Sequence, residues 1–226
     1  HYFTVKGIKF AFLAYTTYLN TDAPAQNDYG VNVYSDAFAK QQIDTAKANG
    51  AQIIIASMRW GVEYSTTVSD SQKQTAQFLA DQGVSLILGH GSHELEPVQQ
   101  LTGSGGNKTT VWYSLGNFLS TQLPAETLFN GTAVIDYSVK TKQITAMSFL
   151  PLYVHYEWTA DEAKRQNAAD LLARHNIKMY LLEDTTQAMI NAQQLTTTVA
   201  AQRARMTSTL NTYLTIPLIT KQTYEQ

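Results

Sequence analysis

The order of apolar runs and helical patterns between residues 8 and 89 constrains this chain most. IKFAFLAY (8–15) follows a Lys-Gly turn and reads as a buried strand. Residues 35–49 carry apolar side chains at helical spacing, with Phe38, Ile43 and Ala46 turned inward and Gly50 as the stop. IIIAS (53–57) is apolar without a break, as expected of a strand covered on both faces. A second helical pattern runs over 69–82, with Ser69 or Asp70 as N-cap and Gly83 at its end. VSLILG (84–89) repeats the buried-strand pattern. Strand, helix, strand, helix, strand is the grammar of an α/β layer, in which each crossover helix covers an apolar sheet face.

Such a layer needs apolar material, and 44% hydrophobic with 15% charged residues over 226 positions supplies it. A net charge of −2 and a pI of about 6.2 argue against an electrostatic nucleic-acid binder. With no cysteine, disulfide scaffolds and thiolate metal sites are excluded, leaving His, Asp, Glu, Asn or solvent as metal donors. No apolar stretch approaches the roughly 20 residues of a membrane-spanning helix. The chain opens on His1, directly before a strand pattern and without a signal peptide, so we expect a piece of a longer protein.

Elsewhere the patterns are shorter. A polar loop over 19–32 reads as a surface excursion or lid. LTGSGGNKT (101–109) is a turn and VWYSLG (111–116) a strand, while residues 132–154 form a hairpin with its turn near 140–143. Residues 161–174 are expected as one helix and 185–210 as a longer one, its apolar stripe running through Met189, Ala192, Leu195 and Val199. Two regions follow: 1–158 as the α/β body and 159–226 as a helical appendage. Asn107 and Asn130 begin glycosylation sequons but read as turn residues.

Ligands of α/β sheets collect beyond the C-terminal ends of the strands. Three loops leave such ends with polar or aromatic residues: SMRWGVEY (57–64), GHGSHELEPV (89–98) and GNFLSTQ (116–122). His90 and His93 are candidate metal ligands, three apart on a turn; the alternative is one turn residue and one solvated ring. Glu94 and Glu96 read as a solvated face. Arg59 is a candidate anion binder through its planar guanidinium, or a surface residue stacked on Trp60. Glu63 is a candidate catalytic base, an ion-pair partner of Arg59, or an exposed charge. Asn117 is a candidate site residue or a left-handed turn residue. His155 sits in an aromatic run suited to packing, and His175 near a helix C-terminus.

The segments IIIASMRWGVEY, QTAQFLADQGVSLILGHGSHELEPVQ and VWYSLGNFLS, with the opening VKGIKFAFLAYT, resemble the CapA-type poly-γ-glutamate capsule biosynthesis proteins. The resemblance covers roughly residues 5–122, and the hairpin through 154 is compatible with it. It implies a partial calcineurin-like double β-sandwich flanked by helices, with a metal centre at the strand ends. It also implies that this chain is the C-terminal part of that fold. The family's acidic Gly-Asp and its Asn-His motifs do not occur here. Where the family has His-Trp-Gly the chain has Arg59-Trp60-Gly61, and where it has His-Pro-His the chain has Gly91-Ser92-His93. His93 keeps one histidine, and His90 falls at a variable position. An Arg repels a divalent cation and glycine donates nothing, which argues against a two-metal hydrolytic centre.

What the resemblance implies for function is therefore a protein at the extracellular face of a bacterial cell, anchored through a preceding segment. It would act on or hold an anionic polymer such as poly-γ-glutamate, in contact with a membrane biosynthesis complex, and no nucleic acid. One alternative is a phosphoesterase or amide hydrolase using Mn, Fe or Zn, its site completed by a preceding segment, with no metal in this piece alone. Another is a non-catalytic interaction domain for a membrane assembly.

Overall fold

The computed structural model describes residues 1–20, 30–141 and 143–224. Strand β1 (Tyr2–Val5) turns through Lys6 and Gly7, both at positive φ as a tight hairpin turn needs, into β2 (Ile8–Thr16). Ser35 caps helix α1 (Asp36–Ala48), which leads to β3 (Ile53–Arg59). Ser69 and Gln72 form a reciprocal capping box on α2 (Asp70–Asp81), which leads to β4 (Leu86–His90). β5 (Leu95–Thr102) and β6 (Lys108–Leu115) close this half. The result is a six-stranded sheet, β1-β2-β3-β4-β6-β5, with β2, β3, β4 and β6 parallel and both edge strands antiparallel.

Period-two alternation along β3 sorts its side chains between two cores. Ile54, Ala56 and Met58 meet Ile43 and Ala46 of α1 and Ala76 and Leu79 of α2. Ile55 points to the other face, where Leu95, Val98 and Trp112 meet a second, three-stranded sheet. That sheet is β7 (Phe129–Ser138), β8 (Gln143–Glu157) and β9 (His175–Leu181), all antiparallel. Trp112 and Phe149 stack between the sheets at 5.9 Å, centroid to centroid. α3 (Ala160–Arg165), α4 (Gln187–Ala192), α5 (Val199–Leu210) and α6 (Lys221–Tyr224) complete the chain. Met206 and Leu210 of α5 are buried in the second core beside Ile190 of α4. The α/β class and the helix-flanked sandwich match expectation.

Several expected elements differ. β5 has no clear signal in the sequence, because LEPVQQLT neither alternates nor forms a continuous apolar run. The helix expected over 161–174 stops at Arg165, where Gln166 turns left-handed (φ +48°), and His175 opens β9 rather than ending a helix. The helix expected over 185–210 breaks into α4 and α5: Gln194 has φ +58°, and the Thr198 side chain caps the new helix. Asn130 lies buried in β7, not in a turn. The hairpin turn falls where expected. The excursion expected over 19–32 has residues 21–29 outside the described residues.

Candidate functional site

Parallel β3 and β4 place their C-terminal ends side by side, with Arg59 paired to His90 in register. Alternation then puts Ser57 and Arg59 of β3 and Leu88 and His90 of β4 on the side of the second sheet. There they line a cavity of about 520 Å³ together with His93, Asn117 and Phe118. The loops beyond the strands are laced by backbone: Trp60 N–H donates to His90 O (2.9 Å) and Tyr64 N–H to Ser92 O (2.7 Å). Trp60 is buried, and its indole N–H donates to Tyr113 O at 2.8 Å. That ring explains Gly89, where a Cβ would lie 2.0 Å from Tyr113 O and 2.5 Å from the indole nitrogen.

Arg59 is not stacked on Trp60. Its guanidinium lies 3.9 Å from the Tyr18 ring centroid and donates to Tyr18 O and Asn20 Oδ1, both at 2.8 Å. Tyr18 in turn donates its hydroxyl to Gly91 O (3.0 Å). Both acceptors of Arg59 are neutral, and among the described residues no carboxylate forms an ion pair with it. Glu63, expected as one possible partner, instead approaches His93 Nε2 at 3.7 Å.

His93 is held by one hydrogen bond and one ring contact. Its Nδ1 is 2.8 Å from Asn117 Oδ1, its ring stacks on Tyr64, and its backbone is left-handed (φ +67°). Asn117 gives its amide hydrogens to Gln122 Oε1 and Thr127 O, which leaves Oδ1 as the acceptor and makes His93 Nδ1 the donor. The left-handed turn residue is Gly116 (φ +73°), not Asn117. His90 opens to the cavity with Nε2 3.2 Å from Ser57 Oγ. Desolvation in the cleft, then the charge of Arg59, lowers its pKa below the ordinary 6.5.

Glu94 and Glu96 are not a solvated face; both are buried. Glu96 turns inward at the start of β5 and accepts from Gln72 Nε2 at 2.5 Å, under the Trp60–Gly61 turn. Burial pushes its carboxyl up to about 8, so it is chiefly protonated at neutral pH. Glu94 lies 3.9 Å from Arg205 of α5. Sequence offers no sign of either arrangement, because both partners come from distant elements. His155 packs against Tyr153 and Tyr180, as an aromatic run suggests.

The donor chemistry does not assemble a metal site here: among the described residues, no three His, Asp or Glu side chains gather as ligands. Gly91 has no room for a ligand in their place, since a Cβ there would lie 2.8 Å from Trp60 O, and its φ is +115°. The arrangement suits an anion held by a neutral-partnered guanidinium, beside imidazole and hydroxyl groups.

Residues 1–122 match the family described as bacterial capsule synthesis protein PGA_cap. The chain is 30% identical over 155 residues to the PGA biosynthesis protein CapA of Bacillus subtilis, covering 68% of this chain and 39% of that protein. It is 23% identical over 193 residues to the capsule biosynthesis protein CapA of Bacillus anthracis, covering 84% and 44%. The chain thus spans about two fifths of the length of these curated relatives. A crystal structure of a 5'-nucleotidase precursor from Thermus thermophilus aligns with 68% of this chain and 29% of its own, at a TM-score of 0.40 and 14% identity.

Proposed function

Because this chain belongs to the bacterial capsule synthesis PGA_cap family, we propose that it binds an anionic capsule polymer, poly-γ-glutamate, through Arg59 during the polymer's assembly or anchoring. Arg59 carries the reading: a half-buried guanidinium at a strand end, fixed by two neutral oxygens and bordering the cavity between the sheets. A carboxylate meeting it gains a charge-assisted bond without displacing an existing ion pair among the described residues. On this reading the protein works at the outer face of the bacterial envelope, beside a membrane biosynthesis complex. No helix among the described residues is long and apolar enough to cross a membrane.

Calorimetric titration with poly-γ-glutamate oligomers tests this. Arg59→Ala is expected to abolish binding, and unchanged affinity would remove the proposal. A metal-dependent hydrolase would need donors beyond the described residues. Stoichiometric Mn, Fe or Zn in a chain of the relatives' full length, lost on His93→Ala, would favour that reading instead.

A further inference from the structure

The cleft holds a second pair of groups that anion binding leaves unused. Ser57 and His90 lie on adjacent parallel strands, on the same face, with Oγ and Nε2 3.2 Å apart. Both line the cavity. Ser57 Oγ has no other hydrogen-bond partner among the described residues. Arg59 stands two positions after Ser57 on the same strand, hence on the same side. A hydroxyl within hydrogen-bond reach of an imidazole is the nucleophile–base pair of acyl transfer, and the cavity adds a cation beside it.

We propose that Ser57 is a nucleophile and His90 its general base, and that the site transfers γ-glutamyl groups through an acyl-enzyme. This rests on the polymer reading above, because in poly-γ-glutamate every scissile amide is flanked by carboxylates that Arg59 can hold. Ser57 Oγ attacks the amide carbonyl carbon, and its proton passes to His90 Nε2. The C–N bond breaks, and the released amine takes that proton from His90. An incoming amine or water then attacks the ester carbonyl carbon and gives its proton to His90 Nε2, and the ester C–O bond breaks as His90 returns that proton to Ser57 Oγ. The products are a transferred or hydrolysed γ-glutamyl chain and the free enzyme, with no oxidant or metal required.

The test pairs two measurements on this chain. A fluorophosphonate, a neutral serine-directed electrophile, is incubated with the protein and the intact mass is followed; oligomer binding is titrated in parallel. One adduct per chain mapping to Ser57 is expected, absent in Ser57→Ala and formed at least about 100-fold more slowly in His90→Gln, the lower end of what a general base contributes. Thermal melting of both variants separates lost chemistry from lost folding. Oligomer binding without a Ser57 adduct, or equal labelling in Ser57→Ala or in folded His90→Gln, would overturn the dyad while leaving the anion site standing. A Ser57 adduct without oligomer binding would keep the nucleophile but overturn the γ-glutamyl assignment together with the polymer reading.

Discussion

Glu96 shows how a single residue ties the site to pH. Its carboxyl is fully buried, receives one hydrogen bond from Gln72 and leaves Oε1 without a partner among the described residues. The folded-state pKa is raised from 4.5 to about 8, so between those values the native state holds a proton that the unfolded chain releases. Stability therefore falls as pH rises from about 4.5 to about 8 and levels off above, by on the order of 5 kcal/mol in total. Urea unfolding of Glu96→Gln is expected to lose most of this slope and to be the more stable form at pH 8; an unaltered slope would contradict the assignment. Gly91 is a second constraint. Its left-handed backbone and the nearby Trp60 carbonyl leave no space for a side chain, and Gly91→Ala is expected to cost about 1–3 kcal/mol. The absence of histidine there is thus a backbone requirement of this loop, and an unchanged unfolding midpoint in Gly91→Ala would show otherwise.

At the scale of elements, α5 acts on the site loop from far along the chain. Arg205 donates to Gln202 Oε1 and to Glu126 O and faces the buried Glu94, one residue beyond His93. Burial raises the Glu94 pKa and lowers that of Arg205, with each charge partly offsetting the other. Arg205→Ala leaves a buried carboxylate without its cation and is expected to destabilise by about 2 kcal/mol. A double-mutant cycle with Glu94→Gln should show coupling, and strict additivity would mean that the pair does no such bracing. These elements also mark what the sequence made legible. β2, β3, β4, α1 and α2 are strongly periodic and bounded by caps and glycines, so local pattern sufficed. β5 is a mixed edge strand, and β9 and the break between α4 and α5 depend on left-handed residues and tertiary pairing that no local period encodes. Arg59, His90, His93, Asn117 and Glu63 were legible as a group, because each follows a readable strand end. Their partners were not: Tyr18 and Asn20 lie in a loop the strand ends do not point to, and the contacts of Tyr64 and Gln122 depend on loop paths that only the folded chain defines.

For the whole molecule, the second core joins residues before and after position 159. Leu182, Ile190, Met206, Leu210 and Ile216 are all buried in it. At about 1.5–3 kcal/mol each, their loss is on the order of 10 kcal/mol, comparable with the entire stability of a domain. Deleting residues 159–226 is therefore expected to abolish cooperative unfolding, and a sharp thermal transition in the truncated chain would contradict this. The cleft lies between the two sheets, with Arg59 at its edge. In the proposed function this guanidinium carries polyanion binding. That role is tested most directly by titrating poly-γ-glutamate oligomers into the wild-type chain and Arg59→Gln across a range of salt. Wild-type affinity should fall with salt, and Arg59→Gln should bind at least about 10-fold more weakly, a loss of about 1.4 kcal/mol, with a shallower salt dependence. Equal affinities and equal salt slopes would show that Arg59 does not bind the polymer.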